Sequence, residues 1–114
     1  MAKSGSDIGA SSASAASFLN GIRTYILWGY GYTGKTLYRA LLAHGKAPSH
    51  IVELHPGRLG NRIHHAPVIR PADLVRLPRG RVVVSVAGVQ ARHEIRQVMA
   101  RLGFVELRDF VCAA

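Results

Sequence analysis

A chain of 114 residues that is 48% hydrophobic can bury the core of one domain, and is too short for two. It has no apolar run long enough to span a membrane and no secretory apolar stretch, and its single cysteine, Cys112, excludes an internal disulfide or a thiolate metal cage, so a cytoplasmic protein is expected. The formal charge of +9, from 15 Lys+Arg and 6 Asp+Glu, is weak evidence for an anionic partner; the cations are mostly arginines scattered from Arg23 to Arg108, which argues against nucleic acid.

Residues 1–22 are rich in Ser, Ala and Gly and read as a flexible leader before a domain at 23–114. Within the leader, Ser14 to Leu19 has the makings of a short helix anchored by Phe18 and Leu19. The first strand is expected at Thr24–Trp28. A helix follows from Gly34 to His44, with Leu37 and Leu41 at helical spacing and Gly45 as its stop. A second strand is expected at His50–Leu54, then a turn at His55–Arg58. Leu59 to His65 reads as a loop, Ala66 to Ile69 as a short strand, and Pro71 to Leu77 as a small helix. Arg81 to Ala87 is apolar enough for a central strand covered on both faces. Gln90 to Leu102 repeats Ala91, Ile95, Val98, Met99 and Leu102 on one helical stripe, and Asp109 to Cys112 is the last strand. Alternation of this kind implies an α/β fold: one Rossmann-like three-layer domain with a parallel sheet of about five strands.

The stretch Thr24–Thr36 carries the main signal. A strand runs into Gly29, Gly31 and Gly34 and then into a helix. In such a turn the first glycine lets the chain leave the strand, the second lets the backbone approach a phosphate, and the third lets helix and strand pack. The same residues satisfy two patterns, G-x-G-x-x-G and, with Lys35 and Thr36, G-x-x-x-x-G-K-[ST]. The second needs an acid at the end of another apolar strand to help hold magnesium. Arg81–Gly88 contains no acid. The first needs an acid about 20 residues on, at the end of the second strand, and Glu53 stands there. The dinucleotide-type turn is the better reading, and a small P-loop NTPase the lesser one.

The expected binding set is Gly29, Tyr30, Gly31, Tyr32, Thr33, Gly34, Lys35, Glu53, Arg58, Ala87 and Gly88. The free amides near Lys35 would meet phosphate, and Lys35 would add charge. Glu53 would accept ribose hydroxyls, or else pair with Arg58 or Arg62. Arg58 stands where a cation would meet a 2′-phosphate. Tyr30 and Tyr32 would stack on a base or cover the loop. Ala87 and Gly88 would border the pocket from the end of the central strand. His64 and His65 do not suit a shared metal, because neighbours on an extended chain point apart. No general acid/base pair emerges, which leans against an enzyme.

These residues carry a resemblance. Ile26–Gly34, Ile51–Gly60, Ile63–Ile69, Ser85–Gly88, Arg92–Arg96 and the ending Gly103–Ala114 resemble the C-terminal Rossmann-like domain of bacterial family 2 glycosyltransferases. A weaker likeness is to the nucleotide-sugar-binding domain of sugar O- and N-acyltransferases. The chain has no room for a catalytic transferase domain, and Asp7, Asp73 and Asp109 stand alone rather than as Asp-x-Asp. The resemblance therefore implies an accessory or stand-alone module that binds a nucleotide or nucleotide-sugar. It departs from the pattern at His65, where glycine is expected. Three other readings stay open: a fragment of an NAD(P)-dependent oxidoreductase, a ligand-free module that meets a partner protein or a glycosyltransferase, and a homodimer.

Overall fold

A strand that is apolar at every position must be covered on both faces, and the valine run at Val82–Val84 is fully buried. The computed structural model describes residues 12–54 and 57–113. Its strands are β1 (Thr24–Trp28), β2 (Ala47–Val52), β3 (Arg62–Ile63), β4 (Ala66–Ile69), β5 (Val82–Val84) and β6 (Phe110–Cys112). Its helices are α1 (12–18), α2 (Tyr32–Ala43) and α3 (Val89–Arg101), and a 3-10 segment spans Pro71–Arg76. The sheet order is β3-β4-β2-β1-β5-β6. Only β3 is antiparallel to its neighbour. The result is a Rossmann-like α/β domain with one strand more than expected.

Side-chain alternation divides the core in two. Tyr25, Leu27, Ile51 and Val83 point to the face covered by α1 and α2, where they meet Leu19, Leu37 and Leu41. Ile26, Trp28, Val52, Val82 and Val84 point to the other, where α3 brings Ile95 and Met99 and the 3-10 segment brings Leu74. Pro48 sits inside β2, yet it disturbs little. The β1–β2 register slips between Tyr25 and Ile26, so no residue of β1 stands opposite Ser49, and β4 pairs only with Ile51 and Val52 further along. The missing N–H of Pro48 thus falls where no ladder bond is lost.

The folded unit begins before residue 23. Of the expected leader, 1–11 lies outside the described residues, while the rest packs into the core with Ala15 and Leu19 fully buried. Two cations hold the end of α1. Lys46 Nζ donates to the carbonyls of Leu19 and Ile22, both at 2.8 Å. Arg81 donates to the Phe18 carbonyl at 2.6 Å and lies over the Phe18 ring. Small residues let this short helix approach closely, and the cations meet carbonyls at and just past its C-terminal end.

The stretch expected as a loop at Leu59–His65 contains β3 and a two-residue turn. His64 and His65 take φ of 50° and 68°. This is the left-handed turn a tight hairpin requires, and it accounts for the glycine expected at 65; histidine is among the residues that tolerate it. Part of the expected turn at His55–Arg58 lies outside the described residues. No helix among the described residues is long and apolar enough to cross a membrane.

The α3–β6 connection is held by Asp109. Its carboxylate accepts from the Val105 amide at 2.8 Å and from Arg108, with Arg79 at 3.5 Å. The Arg108 hydrogen bond, then the Val105 amide, hold its pKa below the ordinary carboxylate value.

Two predictions follow from this packing. Leu19→Ala should cost about 2–5 kcal/mol in urea unfolding, as for a buried leucine; a change near zero would return residue 19 to a leader. Asp109 is more acidic folded than unfolded. Its contribution is therefore complete above the unfolded carboxylate value of about 3.9 and is lost as pH falls through the lower folded value. The drop in stability between neutral pH and that acid range should be smaller in Asp109→Asn than in the wild type.

Candidate functional site

Among the parallel strands the chain runs outward in one direction through β2 and β4 and in the other through β5 and β6, so the order reverses between β1 and β5. In open sheets of this kind ligands sit beyond the carboxyl ends of the strands at that reversal. A cleft of about 520 Å³ opens there, lined by Gly29, Tyr30, Gly31, Tyr32, Thr33, Glu53, Arg58, Ser85, Val86 and Ala87. That volume is ample for a nucleotide-sized ligand.

The turn that floors the cleft is built on close contacts. Gly29 has φ 99°, and its amide donates to Val52 at 2.9 Å. A Cβ on Gly29 would lie 2.8 Å from the Val86 side chain, and one on Gly34 would collide with the Gly29 carbonyl and approach Ser85 Oγ to 3.0 Å. Ser85 is buried, and its single hydroxyl proton is shared between the carbonyls of Trp28 at 3.0 Å and Gly29 at 2.8 Å. It fastens the end of β5 to the turn after β1. The sequence reading passed over Ser85, whose signal was a lone hydroxyl at the end of an otherwise apolar strand.

Gly31 behaves differently. It is the N-cap of α2, with φ −85° and no side-chain cap. A Cβ there would meet nothing within 4 Å. Neither its backbone angle nor its neighbours call for glycine. The first turn of α2 contains no acid, and within the described residues the amides of Tyr32, Thr33 and Gly34 find no acceptor. The cleft thus has a helix N-terminus with bare donors at its rim.

Glu53 follows β2 and faces the turn. It accepts from its neighbour Leu54 at 3.0 Å and from Arg58 at 3.3 Å. Arg58 also donates to the Tyr30 carbonyl at 3.0 Å, which joins the strand-end acid to the glycine turn. Of the expected residues, Gly34, Lys35 and Gly88 do not line the cleft. Gly34 packs beneath it, and Gly88 caps α3 at φ 103°. Lys35 is exposed, and its ammonium turns back to 6.0 Å from the Tyr30 ring. Tyr30 is buried in the α2-side core, so it has no face to offer a base, whereas Tyr32 is 80% exposed beside the cleft. The phosphate-loop pattern also fails here. α2 already includes Tyr32, Thr33 and Gly34, so that stretch cannot wrap a phosphate as an open loop. A second cavity of about 350 Å³ lies behind the first on the α3 side, bordered by Trp28, Glu53, Leu54, Val86 and Ile95. Among the described residues no three His, Cys, Asp or Glu side chains gather as a metal site.

The fold has counterparts among solved structures. The chain is similar to RSP in complex with β-NADH, with a TM-score of 0.56 and 15% identity over 79% of this chain. It is equally similar to RSP with β-NAD+ and operator DNA, at a TM-score of 0.57 and 15% identity. The chain spans about half the length of that protein, 52% and 49% in the two structures. At this identity the likeness is one of fold. No protein-family model matches the chain, and no curated protein matches it in sequence. In the second structure RSP, of which this chain spans about half, holds operator DNA as well as the dinucleotide, a property of that protein. Neither neighbour is a glycosyltransferase.

Ser85→Ala and Gly34→Ala separate the two contacts that hold the turn. Ser85→Ala removes a buried donor and should lower stability by about 1 kcal/mol. Gly34→Ala drives a methyl into backbone and should cost the upper end of the roughly 1–3 kcal/mol typical of overpacking. Chemical denaturation of both variants checks the order; a neutral Gly34→Ala would mean that the turn is looser than described.

Proposed function

We propose that the chain binds a nucleotide at the carboxyl ends of β1, β2 and β5, with NAD(H) as its ligand, and acts as a binding module without chemistry of its own. The observation that carries this reading is Gly31. The fold makes no demand for glycine there, whereas a phosphate lying against the backbone at the start of α2 does. The unpaired amides of the first turn would bind that phosphate. Glu53, at the end of β2, would accept ribose hydroxyls, with Arg58 holding its carboxylate in place. Glu53 would repel a 2′-phosphate, so NAD(H) is preferred over NADP(H), and Arg58 is already committed to Glu53 and the Tyr30 carbonyl. The dinucleotides bound to RSP support the same ligand class. Kinship with glycosyltransferase accessory domains rests on the sequence resemblance alone, and nucleotide-sugars are the lesser ligand.

A thermal-shift panel of NADH, NAD+, NADPH, ATP and UDP-glucose, run on wild type and Gly31→Asp, tests this. A ligand at 100 times its Kd stabilises by about 2.7 kcal/mol, a rise of several degrees in a domain of this size. The expected result is a shift with NAD(H), smaller with NADPH and absent in the variant. A flat panel on folded protein would sink the nucleotide reading.

A further inference from the structure

Tyr30 is tied to three parts of the fold. Its carbonyl accepts from Arg58 at 3.0 Å. Its hydroxyl is hydrogen-bonded to His64 Nε2 in the β3–β4 turn. Its ring meets Tyr38 of α2 edge-on at 6.3 Å, and His64 lies flat on that same Tyr38, with centroids 4.0 Å apart and planes at 6°. Burial first, and then Tyr38, raise the Tyr30 pKa against the opposing pull of Arg39 and Arg58. The phenol therefore keeps its proton at neutral pH, and the direction of its bond to His64 Nε2 follows the tautomer of the imidazole. His64 reaches it from a left-handed backbone, φ 50°.

This link bears on the cleft through the peptide plane. The Tyr30 carbonyl and the Gly31 amide belong to one planar trans peptide, so holding one sets the direction of the other. We propose that His64 is a positioning residue: through its hydrogen bond to the Tyr30 hydroxyl it holds the Gly29–Gly31 turn and aims the Gly31 amide. Its effect on affinity rests on the nucleotide reading above; its effect on the turn does not. The β3–β4 hairpin then serves the cleft without lining it.

The test uses wild type, Tyr30→Phe, His64→Leu and His64→Gln. Leucine and glutamine are both unbranched at Cβ and meet a similar left-handed backbone cost, so their difference isolates the hydrogen bond. In amide NMR spectra of the unliganded proteins, Gly29, Gly31 and Tyr32 should move in Tyr30→Phe and His64→Leu and keep near-wild-type positions in His64→Gln. NADH affinity should fall roughly three- to tenfold in the first two, the worth of one neutral hydrogen bond, and recover in His64→Gln. Unmoved amides in Tyr30→Phe and His64→Leu, or one NADH affinity shared by all four proteins, overturns the proposal. Amides that move as expected in a protein that binds no NADH support the link and remove only the nucleotide reading.

Discussion

The contact on which the molecule depends is that of Gly34 against the Gly29 carbonyl. It brings α2 onto the end of β1 with no side chain between them. From that contact α2 gains its path across the sheet, which lets Leu37 and Leu41 reach the core. Ser85 brings a third element to the contact, since its hydroxyl draws on carbonyls at the end of β1 from the end of β5. The Trp28 oxygen also accepts the Ser85 amide at 2.9 Å, so the hydroxyl's distinct contribution is its bond to the Gly29 carbonyl, which keeps a buried polar group paired. The cleft is the space left over where β1 and β5 part company after that bond.

Much of this was legible in the residues. Gly29, Gly31 and Gly34 announce a strand-to-helix turn by their spacing, although steric demand accounts for glycine only at 29 and 34. Glu53 was found by its distance from them, and the valines of β5 by their unbroken apolarity. Other parts left too faint a signal. A short helix anchored by Phe18 and Leu19 was legible, but it was placed in a leader outside the domain since alanine and serine carry little hydrophobic weight; its place in the core is secured by Leu19 and by two cations distant in sequence. β3 is two residues long, and its turn uses histidines where turn chemistry points to glycine or asparagine. Tyr30 looked like a stacking residue because position next to a glycine says nothing about which layer a ring enters.

The charge is also spent differently from what a net figure conveys. Arg58, Arg62, Arg79 and Arg81 each donate to a backbone carbonyl. Arg96 and Arg108 pair with Glu106 and Asp109. These guanidiniums work as multi-pronged donors at loop and helix ends, a use to which their fixed fork suits them. Net charge is consequently a poor guide to partners in this chain, since many of the cations that produce it are tied into the architecture.

Trp28 is the one tryptophan of the chain, 3% exposed, and adjoins Gly29 at the end of β1. Its indole lies in the α3-side layer and borders the second cavity behind the cleft. An indole so shielded from water emits toward the blue end of its range, with no second tryptophan to blur it. The protein therefore carries its own optical probe beside the glycine turn, and a reduced nicotinamide nearby, which absorbs where indole emits, would quench it by energy transfer.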